Sequence, residues 1–99
     1  MKTTKKQIEG IFEAFIKAIG GRVANRYDDH GAYRLDNNPT YGGYNIERIC
    51  DNNTGVSQPF GYQRHTPAEM WQLLRFGLDA LNHLESLYKD PNFEELTKN

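Results

Sequence analysis

The stretch TPAEMWQLLRFGLDALNHLESLYKDP, Thr66 to Pro91, decides the fold. It carries its own start and stop signals. Thr66 is an N-cap residue, Pro67 takes the first helical position, and Glu69 completes a capping box with Thr66. Asp90-Pro91 ends the helix after about Lys89, because proline lacks the N–H that another turn needs. Between these signals Met70, Trp71, Leu73, Leu74, Phe76, Gly77, Leu78, Ala80, Leu81, Leu84, Leu87 and Tyr88 wrap roughly 220° of the helix at ~100° per residue. One sheet face covers a stripe little wider than ~100°. The surplus must meet another helix, the tail of the chain, or a second copy, and a homodimer is expected.

Working back toward the N-terminus, short runs read as strands separated by turns. Val56 to Phe60 offers a short edge strand, since Pro59 cannot donate to a ladder. Tyr44 to Asp51 is the longest run, closed by the turn Asn52-Asn53-Thr54-Gly55. Arg48 interrupts its alternation between Ile46 and Ile49, which predicts a bulge or register shift in that strand. Ala32 to Asp36 precedes it, broken by Asn37-Asn38-Pro39-Thr40, and Arg22 to Tyr27 leads through Asp28-Asp29-His30-Gly31. Connections this short give an antiparallel meander.

A first helix spans about Thr4 to Ile19. Thr4 and Gln7 have capping-box spacing, and Ile8, Ile11, Phe12, Phe15, Ile16 and Ile19 follow the helical period. Gly20-Gly21 stops it. A last helical turn is expected around Phe93 to Leu96, folding back as a plug. The fold expected is a single α+β domain over residues 1–99. A three- or four-stranded antiparallel meander is packed on one face by two helices.

The whole chain has 99 residues, 12 basic and 13 acidic, for a formal charge of −1. That balance gives no general affinity for nucleic acid or anionic lipid. Apolar residues are 37%, low for a globular chain, but aromatics at 12% compensate through their area. Lys2, Lys5 and Lys6 are followed by an apolar run interrupted by Glu9, Glu13 and Lys17, so no secretory core forms, and no segment approaches the ~20 apolar residues of a membrane span. Cys50 is the single cysteine, which fits a reducing compartment, and a cytoplasmic location is expected.

If Val23, Tyr27, Leu35, Tyr44 and Ile46 face the helices, Arg22, Ala24, Arg26, Arg34, Asn45 and Glu47 cover the other face. That face is either an anion site or a solvated surface with Glu47 paired across strands. The Asn37–Tyr44 loop is rich in glycine and tyrosine, which suit close backbone approach and flat contact, and which also suit any long hairpin loop. The segment Pro59–His65 sets Arg64 and His65 just before a helix start, where unpaired N–H groups attract anions. His30, His65 and His83 lack metal-site spacing, Asp28-Asp29-His30 reads as a polar turn, and Cys50 as a buried inert thiol. No metal, cofactor or catalytic residue is expected, and no phosphate loop, paired-carboxylate motif or nucleophile elbow is present.

The helix–strands–helix order resembles the double-stranded-RNA-binding domain. That family grips phosphates with a lysine-rich start to its second helix. Here the start is Thr66-Pro67-Ala68-Glu69-Met70-Trp71, with an acid and no lysine, so RNA binding by that route is excluded. The strings Asn38-Pro39-Thr40-Tyr41-Gly42-Gly43-Tyr44 and Pro59-Phe60-Gly61, followed by an aromatic-rich helix, resemble small uncharacterised proteins of phages and mobile elements of gut bacteria. That resemblance implies an accessory role and carries over no catalytic residues.

Three functions are weighed, the least favoured being an enzyme that uses the His65 or Asp28–His30 region, for which no recognisable constellation is present. The first is a non-catalytic protein that binds another protein, as a homodimer, through the arc around Trp71 and Phe76 and the Tyr41–Tyr44 loop. The alternative is a binder of a nucleotide or other phosphorylated ligand. Arg34, Arg48, Arg64 and His65 would hold its anion, and Tyr41, Tyr44 or Tyr62 would stack on its base.

Overall fold

The computed structural model describes residues 2–25, 29–50 and 55–92. Helix α1 spans Lys5–Ala18, strand β1 Tyr33–Asn38, strand β2 Gly43–Ile49, strand β3 Val56–Ser57 and helix α2 Pro67–Lys89. The strands form one antiparallel sheet in the order β1-β2-β3, so the molecule is α+β.

Both helices begin as their sequences dictate. The Thr4 and Thr66 hydroxyls accept from the backbone N–H of Gln7 and Glu69, whose side chains accept from the cap N–H groups in return. α1 ends in a Schellman pair. Gly21 N–H donates to the Ile16 carbonyl at 2.9 Å and Gly20 N–H to Lys17 at 3.1 Å, with Gly20 at φ +81°.

The predicted apolar stripe of α1 forms the centre of the core. Ile8, Phe12, Phe15 and Ile16 are buried against Tyr44 and Ile46 of β2 and Met70 and Leu74 of α2. Val23 and Leu35 pack against the same cluster as expected, Tyr33 joins them, and Tyr27 lies outside the described residues. Phe15 lies so close to α2 that a Cβ on Gly77 would stand 2.7 Å from its ring. A mid-helix glycine costs about 1 kcal/mol of propensity relative to alanine. Here it permits the two helices to approach.

Four local expectations change. The run from Arg22 yields no ladder among the described residues: Val23 alone pairs with Tyr33, in parallel, and residues 26–28 lie outside them. An extended parallel ladder needs a crossover of about a dozen residues or more, and only nine residues separate Val23 from Tyr33. Next, β1 continues past Asn37 to Asn38, because Asn37 and Asn38 pair with Tyr44 and Gly43, and the chain turns through a 3-10 turn at Pro39–Tyr41.

The bulge is displaced from Arg48, which pairs in register with Tyr33. Instead Gly31 N–H donates to the Ile49 carbonyl while Ile49 N–H donates to Ala32, so two residues face one. Gly31, at φ +85°, supplies the left-handed conformation this needs. The fourth change concerns the sheet face away from the helices, where Asn45 and Glu47 are buried. The turn Asn52-Asn53-Thr54 and the turn expected around Phe93 to Leu96 lie outside the described residues.

Candidate protein-binding surface

α2 leaves its core-facing side at Met70 and Leu74 and presents a second apolar side to solvent. Phe76 is 75% exposed, Leu73 51% and Leu84 45%. At ~100° per residue these three share one face of the helix with Ala80 and Leu87. Ala80 is exposed and Leu87 half-buried. The face therefore carries large apolar side chains at helical spacing with no covering element among the described residues.

A cavity of about 230 Å³ opens beside the N-terminal end of this face. Phe15, Ile46, Phe60, Met70 and Leu73 line it, and His65 adds a polar group to its wall. Phe60 stands edge-on to Phe15 with ring centres 5.5 Å apart and reaches Tyr33 at 6.5 Å.

Trp71 and Phe76 do not form one arc. Five residues at ~100° each set them about 140° apart. Trp71 is half-buried and packs against the core. Tyr44 is buried, because the β2 residue facing α1 and α2 becomes packing material. Tyr41 and Tyr62, in contrast, are 73% and 82% exposed. Their loops are neighbours: a Cβ on Gly42 would lie 3.6 Å from Arg64 Cβ, and Asn45 Nδ2 donates to the Tyr62 carbonyl at 3.3 Å.

The arginines expected to gather an anion are each engaged within the chain. Arg34 Nε meets Glu47 Oε1 at 2.7 Å, the cross-strand pairing anticipated for Glu47. Arg48 Nε donates to the Gly31 carbonyl at 3.2 Å, and its guanidinium sits 5.8 Å from the Tyr33 ring centre. Arg64 donates from Nη1 to the Gly43 carbonyl at 2.8 Å and from Nη2 to Asp36 Oδ2 at 2.6 Å. His65 exchanges both backbone hydrogen bonds with Tyr44, at 2.8 and 2.9 Å.

This last exchange leaves Ile46 N–H facing the gap between His65 and β3. The Asn45 side chain fills it, accepting from Ile46 N–H at 2.6 Å through Oδ1. Asn45 and Asp36 are the structural residues that sequence reading missed. Their roles follow from the fold: Asn45 is buried and needs partners, and the ladder sets Asp36 opposite it.

The remaining polar groups have local roles. Asp29 accepts from Arg22 at 2.8 Å, and Asp28 lies outside the described residues. His83 is exposed, and Cys50 is half-buried. Glu69 is held below the ordinary carboxylate range, first by the Thr66 backbone N–H, then by the Thr66 hydroxyl and the nearby His65. Among the described residues no group of three or more His, Cys, Asp or Glu side chains is placed to hold a metal, and no helix is long and apolar enough to cross a membrane. No family model, curated protein or solved structure matches the chain.

Proposed function

We propose that this chain is a small non-catalytic interaction protein. It is an accessory factor of a phage or mobile element that acts in the cytoplasm by binding a host protein, and it associates with itself. The observation that carries this reading is Phe76, three-quarters exposed between Leu73 and Leu84 on one helix face. Fully burying a leucine or phenylalanine side chain is worth about 1.5–3 kcal/mol. Three such side chains at helical spacing form a ready anchor row for a partner. Tyr41 and Tyr62 add a second exposed aromatic pair, in the residue class enriched at binding hot spots.

The test compares the native chain with Phe76→Asp, which places a charge on the open face at a side chain that is three-quarters exposed. Circular dichroism should show unchanged folding. Light scattering across a concentration series and affinity capture from the host should both show lost association. If neither self-association nor the set of captured proteins changes, this face binds nothing and the reading fails.

A further inference from the structure

The open face of α2 has an internal symmetry that names its occupant. Taking Ala80 as the centre, Phe76 and Leu84 lie four residues before and after it, and Leu73 and Leu87 lie seven before and after. Such a row is self-complementary. Two copies crossing antiparallel at Ala80 place Phe76 against the partner's Leu84 and Leu73 against the partner's Leu87. The smallest side chain sits where the helices must come closest. We infer that α2 pairs with α2 of a second copy, antiparallel, with the two-fold axis passing at Ala80. This rests on the interaction-protein reading and specifies its self-association.

The flank agrees. Asp79 and His83 follow one another along the same edge of the face. A two-fold perpendicular to both helices keeps that edge on the same side in each copy. His83 then stands about 3 Å along the axis from the partner's Asp79, a donor opposite a carboxylate, and the contact occurs twice. Asp79 keeps its Arg75 partner, since Arg75 Nε meets Oδ2 at 3.3 Å from within the same helix.

Area sets the strength. From ordinary residue areas the exposed fractions of Leu73, Phe76 and Leu84, with Ala80 and Leu87, leave roughly 400 Å² of apolar surface on each copy. A pair covers on the order of 800 Å², or about 1,000 Å² once the Asp79 and His83 edge is counted. That is the lower bound of a specific interface, where weak and reversible assemblies sit.

The register is testable by cross-linking. At an interaxial distance of 9–10 Å, two Cα atoms facing each other across the pair stand about 5 Å apart. A disulfide spans 4.4–6.8 Å. In a Cys50→Ser background, Ala80→Cys should oxidise to a covalent dimer at least tenfold faster than Asn82→Cys on the far side of the helix. Leu84→Cys alone should lag in the same way, and combined with Phe76→Cys it should cross-link readily. Light scattering of the native chain, which needs no substitution, should show mass rising with concentration. A native chain that stays monomeric throughout overturns the dimer, and the wider reading is then decided by the Phe76→Asp capture. A dimer that cross-links at Leu84 or Asn82 and not at Ala80 overturns the register alone.

Discussion

Replacing Arg64 with alanine separates a structural arginine from a ligand-holding one. The side chain bridges the start of α2 to two points on the sheet, the Gly43 carbonyl at 2.8 Å and Asp36 Oδ2 at 2.6 Å. Arg64 and Asp36 are 18% and 29% exposed. A fully exposed ion pair is worth about 0.2–1 kcal/mol. Losing one partner of a fully buried pair costs about 3–5 kcal/mol. This pair lies between, since water still reaches Asp36 while the Gly43 carbonyl loses its donor. Arg64→Ala should therefore cost about 2 kcal/mol, or roughly 8–16 °C in the midpoint for a domain of this size. Arg64→Lys should recover about half of that, because one ammonium replaces a two-pronged donor. Urea unfolding followed by circular dichroism measures the loss, with the slope expected to stay constant. A double-mutant cycle with Asp36→Asn should return a coupling near 1 kcal/mol. A loss or a coupling below about 0.5 kcal/mol would show that the bridge contributes nothing. A thermal shift with pyrophosphate that depends on Arg64 would return it to ligand duty.

Gly43→Ala should be severely destabilising, by more than about 3 kcal/mol, because φ is +112° and the new Cβ would overlap the His65 carbonyl oxygen; a well-folded variant by thermal melt would refute the close approach. Leu74→Ala empties a fully buried position and should cost about 3 kcal/mol in urea, whereas Leu84→Ala on the open face should stay within about 0.5 kcal/mol for the monomer. Glu69 has a folded value depressed by the Thr66 N–H, so its contribution is present above its ordinary value near 4.5 and fades as pH falls through the lowered one. Glu69→Gln should flatten the acid side of the stability profile there, and an unchanged profile would show that the capping carboxylate is not coupled to folding.

The parts of the fold legible in the sequence are those fixed within one helical turn or by a period. Thr4 with Gln7 and Thr66 with Glu69 act through hydrogen bonds three residues apart, and the α1 stripe needs only the helical repeat to select its buried side. The strands were less legible because their limits depend on partners distant in sequence. Val23 has strand character, yet its one pairing is set by where β1 lies relative to the end of α1. The bulge at Gly31 answers Ile49, eighteen residues on, so no reading of the β2 run alone locates it. Tyr44 carries two messages, a tyrosine in a glycine-rich loop and an apolar-facing strand residue, and only its register against Asn37 decides between them.

Of the two faces expected to be functional, the sheet face is taken up by internal pairing while the α2 face stays open. Among the described residues two helices cover one side of the sheet and none covers the other. That side instead carries polar pairs: Arg34 with Glu47 across the ladder, and Arg64 to Asp36 and Asn45 to Tyr62 between the sheet and the segment before α2. Those pairs engage Arg34 and Arg64, two of the arginines expected to hold an anion. α2 is under the opposite constraint. Its Met70 and Leu74 side reaches the core, while Phe76, about 200° from Leu74 around the helix, faces away from it. Among the described residues no element covers the phenylalanine there. The open apolar row centred on Ala80 is therefore the part of this surface that folding does not explain, and it is where a partner is to be sought.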